Sequence, residues 1–167
     1  MSKEVLFLKR AVCLLAMFLL FAGCSKVTPN VPPTYALPLS GTVQISTALL
    51  DMSAAWNYTA DAMTFSLTSP QELSGTIVTC GAEKTVTSQG ITVPMAQTAC
   101  FEALQKAWLV FMNAQTEPAE TPEGWRYDFT VTDGFSVLQS MDGGVMRFRF
   151  AHSETEAVFS VETARIP

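Results

Sequence analysis

Side-chain catalysis needs groups that can move protons, attack a substrate or ligate a metal. This chain has few of them at useful spacing. His152 is the single histidine among 167 residues, and it falls in a polar run, His152-Ser-Glu-Thr155, that reads as a solvated turn. One imidazole supports neither a Ser-His-Asp triad nor a His-rich metal centre. Cys80, Cys100 and His152 share no motif that would assemble a thiol site. No phosphate-cradling glycine loop, HExxH helix or nucleophile elbow occurs, and the scattered carboxylates sit where turns are expected. Neither an enzymatic activity nor a cofactor or metal is expected. The aromatic residues are the remaining candidates: Trp56, Phe65, Phe101, Trp108, Phe111, Trp125, Phe129 and Phe148, with Phe159. They can line an apolar cavity able to take an acyl chain, or they can simply fill the core. A domain of this size needs most of them for its interior. Arg147 and Arg149 lie on the strand face opposite Phe148, as a receiver for an anionic partner or as surface charge.

The N-terminal segment carries a different kind of information. Ala11–Ala22 is an uninterrupted apolar run of 12 residues, roughly 18 Å as a helix, whereas a spanning helix needs about 20 residues. Lys3, Lys9 and Arg10 precede it and small residues follow it, the layout of a secretory signal. The tetrad Phe21-Ala22-Gly23-Cys24 resembles the lipobox of bacterial lipoproteins. That resemblance implies cleavage before Cys24, a diacylglyceryl group on its thiol, and an extracytoplasmic domain anchored to a bacterial membrane by lipid. Two acyl chains are what stable anchoring requires. Residues 1–23 are then a signal peptide, 24–40 a lipidated cysteine with a Pro-rich tether, and 41–167 a single β-rich domain. Pro29, Pro32, Pro33 and Pro38 exclude helix from the tether and favour extended chain.

Loss of residues 1–23 removes Lys3, Lys9, Arg10 and Glu4, which takes the formal charge from −5 to −7. The remaining cations form no basic stripe with interleaved aromatics, so nucleic acid is not an expected partner. Cys80 and Cys100 are the thiols left beside Cys24. They can close a disulfide loop of about 20 residues, stabilising by roughly 3 kcal/mol, or stay buried as small hydrophobes.

From Gly41 onward the apolar pattern has period two. Val43, Ile45, Thr47 and Leu49 alternate with polar or small neighbours, as do Ala54, Trp56 and Tyr58, then Met63, Phe65 and Leu67. Each is the pattern of a half-buried antiparallel strand. Gly75–Gly81, Glu83–Ser88 and Ile91–Val93 extend the series. The rhythm breaks between Thr98 and about Met112, where Phe101, Leu104, Trp108 and Phe111 recur at helical spacing. That predicts an amphipathic helix over about 98–112 with an aromatic stripe and Thr98 as its N-cap. Asn113–Gly124 reads as an exposed loop. Strands resume at Trp125–Thr132, Phe135–Ser140, Met146–Ala151 and Ala157–Glu162, with Asp133-Gly134 and Asp142-Gly143-Gly144 as turns.

The expected fold is mainly β (α+β), a strongly curved antiparallel sheet or half-open β-barrel of about ten strands with one helix on its concave face. The segment Phe65-Ser-Leu-Thr-Ser-Pro70-Gln-Glu-Leu73-Ser-Gly75-Thr-Ile-Val78 and the Asp-Gly hairpins resemble the LolA/LppX-like half-barrel lipoproteins and lipoprotein carriers over residues 41–167. The resemblance implies that fold and a non-catalytic role binding or carrying a lipid or other hydrophobic ligand. The alternative is a tethered module with a filled core that meets an envelope protein partner.

Overall fold

Alternating strands settle into a sheet when their apolar positions share one wall, and here a single helix supplies it. The computed structural model describes residues 31–94, 99–130 and 134–162. Six strands come first: β1 (Leu39–Ser46), β2 (Asp51–Tyr58), β3 (Ala62–Ser69), β4 (Ile77–Gly81), β5 (Lys84–Ser88) and β6 (Ile91–Pro94). Helix α1 (Ala99–Asn113) follows, then β7 (Ala119–Thr121), β8 (Gly124–Phe129), β9 (Phe135–Gln139), β10 (Val145–Phe150) and β11 (Glu156–Glu162).

All eleven strands form one antiparallel, curved, unclosed sheet in the order β6-β5-β4-β3-β2-β1-β11-β10-β9-β8-β7. Two meanders therefore grow outward from a shared centre, where β1 pairs with β11. The edges are β6 and β7, and α1 is the element between them in sequence. Inward positions are buried strand by strand: Met52, Ala54 and Trp56 on β2, Met63 and Phe65 on β3, Trp125, Tyr127 and Phe129 on β8. On α1 the buried residues are Phe101, Leu104, Ala107 and Trp108, spaced to make one stripe of a 3.6-residue helix.

Two strand positions accept only glycine. A Cβ at Gly41 (φ 151°) would run into the carbonyl oxygen of Ser160, and one at Gly124 (φ 144°) into that of Gln139. Close approach of neighbouring backbones without a side chain lets strands bend tightly. Gly41 lies at the central β1–β11 pair and Gly124 begins β8.

The expected curved antiparallel sheet of about ten strands with one helix is borne out, with eleven strands among the described residues. One expectation is corrected: residues 119–121 of the anticipated loop pair with β8 as a strand. The helix runs Ala99–Asn113, so Thr98 falls outside the described residues. Residues 32–40 of the expected tether cluster with the sheet in one compact unit. Pro33 and Tyr35 are held against the body by hydrogen bonds, so the latter part of the Pro-rich segment is packed structure. The expected signal peptide (residues 1–23), Cys24 and Asp133 lie outside the described residues.

Candidate functional site

The aromatic stripe of α1 meets inward-facing rings along much of the sheet. Phe101 packs on Phe65 of β3 at 4.9 Å between centroids. One helical stretch further on, Trp108 stacks on Trp56 of β2 at 5.3 Å and 28°. It meets Phe159 of β11 edge-on at 5.3 Å and lies tilted against Phe148 of β10 at 5.1 Å. Phe111 then meets Tyr127 of β8 edge-on at 5.1 Å. The helix thus crosses the concave face from β3 toward β8. Trp108, Phe65 and Phe148 have no exposed surface. Of the expected cavity residues, Trp56, Phe65, Phe101, Trp108, Phe111 and Phe148 form one ring network. Trp125 is buried on β8, and Phe129 stacks on Phe135 at 4.6 Å near the far end of that strand. These rings have one another as neighbours, so they fill the space between helix and sheet.

One polar irregularity sits inside this network. The indole nitrogens of Trp56 and Trp108 are both buried, and neither has a hydrogen-bond acceptor among the described residues. A buried unsatisfied donor costs about 1–3 kcal/mol.

The second feature is a strap, residues 32–38, laid over the C-terminal half of the helix. Tyr127 donates its hydroxyl to Oε1 of Gln139 at 3.0 Å. Gln139, with no exposed surface, donates Nε2 to the carbonyl of Pro33 at 2.7 Å. Tyr35 donates its hydroxyl to the carbonyl of Gly143 at 2.6 Å. That carbonyl belongs to the β9–β10 turn, which is held by Asp142 accepting from Ser140 and from the Gly144 amide. These two hydrogen bonds keep the Asp142 carboxyl below the usual range. The Tyr35 ring stands edge-on to Trp108 at 5.9 Å and tilted against Phe111 at 6.2 Å. Burial pushes the Tyr35 phenol up to about 12, with the neighbouring Gln139 side chain pulling the other way. Beside the strap lies a cleft of about 210 Å³ lined by Pro33, Tyr35, Phe111, Met112 and Tyr127 among others.

On the opposite sheet face, Arg126, Arg147 and Arg149 line a trough of about 470 Å³ over Leu138. Arg147 and Arg149 both reach Glu156, at 3.2 and 3.0 Å, and Arg126 reaches Asp128 at 3.1 Å. The arginine pair read as a receiver for an anion is therefore tied up in surface ion pairs. Cys80 and Cys100 are not joined in a disulfide. Other contacts fix α1 against β4: Gln105 Nε2 donates to the Cys80 carbonyl at 2.8 Å, and Lys84 meets Glu102 at 2.8 Å. Burial raises the Cys100 thiol, which disfavours the nucleophilic thiolate. His152 is exposed beyond β10, and four strands separate β10 from the β4 strand of Cys80. No three potential metal ligands converge among the described residues.

Sequence reasoning missed Tyr35, Tyr127 and Gln139. A signal existed for the last: Phe135, Val137 and Gln139 share the inward phase of β9, which places an amide where the pattern calls for an apolar side chain. Such a residue needs a buried partner. The chain matches no protein-family model and no curated protein.

Proposed function

We propose that the chain is a bacterial envelope lipoprotein, anchored through diacylglyceryl-Cys24, whose mature domain is a non-catalytic protein-interaction module. The observation that carries the module reading is Trp108: it has no exposed surface and is packed by Trp56, Phe148, Phe159 and Tyr35. A carrier site is typically a preformed apolar hollow of several hundred Å³, whereas these rings occupy the helix–sheet space themselves. The anchoring part is supported by the short apolar run ending in Phe21-Ala22-Gly23-Cys24.

The carrier reading keeps one specific support. The indole donors of the stacked Trp56 and Trp108 rings are buried without acceptors among the described residues, and a lipid carbonyl or phosphate could satisfy them. Native mass spectrometry of the mature chain carrying Cys24→Ala separates the two. The expected result is the mass of the polypeptide alone; stoichiometric lipid would overturn the module reading in favour of the carrier. For the anchor, labelled fatty acid should enter the wild-type chain in a bacterial host and be absent from Cys24→Ala. Equal labelling of both would remove Cys24 as the attachment point.

A further inference from the structure

The strap contacts share an unusual property: all are made by an extended segment to a surface that does not depend on its covalent connection. Gln139 reads the Pro33 backbone carbonyl, the Gly143 carbonyl accepts one hydroxyl, and Trp108 and Phe111 take one ring. Tyr127 fixes the Gln139 amide so that its nitrogen faces the strap. Prolines preset the segment as extended chain, which lowers the entropy lost on seating it. The strap then enters the sheet at Leu39, the first residue of β1, leaving residues 36–38 as the only link between Tyr35 and the domain body.

We propose that this slot is a self-recognition site, filled by the chain's own residues 32–35 in a single molecule and by the same residues of a second copy when two molecules meet. Exchange of an identical element reproduces every contact in the partner, so its free-energy difference is small and local concentration decides the outcome. Two copies confined to one membrane would experience a raised effective concentration. The assembly would then carry two lipid anchors and two crossed straps. The inference rests on the interaction-module reading and names its partner as another copy of this chain.

The test mixes two variants of the mature chain, each carrying Cys24→Ala. Tyr35→Ala removes the strap's anchor and leaves the slot intact, while Gln139→Leu breaks the slot and leaves the strap intact. In sedimentation velocity each variant alone should stay monomeric. The mixture should form a one-to-one dimer at concentrations at least tenfold below those at which either variant self-associates. A mixture that stays monomeric, with both variants retaining the wild-type circular dichroism spectrum, overturns the proposal. So does association equal to that of either variant alone. If Tyr35→Ala fails to fold, Tyr35→Phe replaces it and the same order of association is expected. Because no lipid takes part, a negative result leaves the Cys24 anchor and the filled core standing, while lipid found by mass spectrometry would defeat the module reading on its own.

Discussion

The two ends of α1 are fastened by different physics. Its C-terminal half is clamped from both sides, by rings of β2, β10 and β11 beneath Trp108 and by the strap above. Its N-terminal half buries Phe101, on Phe65, and Leu104, and is tied to β4 and β5 by Lys84–Glu102 and the Gln105 amide. Beyond that end the sheet continues into β5 and β6, where Ile91 and Val93 are 68% and 48% exposed. Both ends bury apolar side chains, Phe101 and Leu104 at one and Trp108 at the other, but only the C-terminal end adds a buried polar clasp, whereas the polar ties of the N-terminal end are partly exposed. Burial of apolar surface dominates folding energetics, whereas exposed ion pairs contribute little. Opening of the half-barrel should therefore begin at β5–β6 and the first turn of the helix, with the strap side closing last to be lost.

The largest break in this contrast comes from Trp108→Ala, which empties the centre of the ring network. Denaturant unfolding should show a loss of about 3–5 kcal/mol. Next comes Gln139→Leu, which leaves the Pro33 carbonyl and the Tyr127 hydroxyl without their partner. A loss of about 1–3 kcal/mol is expected, with faster hydrogen exchange confined to residues 34–39. A titration sharpens the same side. The Tyr35 phenol ionises near 12 in the folded chain and near its ordinary 10.0 when unfolded. Its contribution is intact below pH 10 and is lost as pH rises through about 12. In an ultraviolet titration one tyrosine should ionise in step with loss of strap protection. The smallest effect is reserved for the other end: Lys84→Ala should cost about 0–1 kcal/mol and quicken exchange in β5 alone. A larger loss there than at Gln139 would invert the ranking of the two ends.

Much of this fold was legible in the residues. Alternation such as Trp125, Tyr127, Phe129 needs only local periodicity to reveal a strand, and Phe101, Leu104, Trp108 reveal the helix in the same way. What escaped was short or long-range. Strand β7 has three residues between Pro118 and Pro122, with Glu120 at its middle and Glu117 and Glu123 on either side. Local chemistry there argues for a loop, and only pairing with β8 makes it a strand. The prolines of the strap correctly indicate extended chain, yet Pro33 meets Gln139 at a sequence separation of 106 residues, and no local rule reports where an extended segment comes to rest. The candidate aromatics were mostly named from sequence, but whether they surround a hollow or one another depends on how closely the helix approaches the sheet.

The pairing of β1 with β11 has a consequence for how the chain acquires its shape. The strands nearest the two ends of the domain lie side by side in the middle of the sheet, so the midline is assembled from the most distant parts of the polypeptide. A ribosome that has released the first meander has produced a fragment whose innermost strand still lacks its neighbour. Such long-range closure is slow compared with local hairpin formation, so the midline of the sheet cannot close until β11 has been made, and that strand is the keystone of the whole.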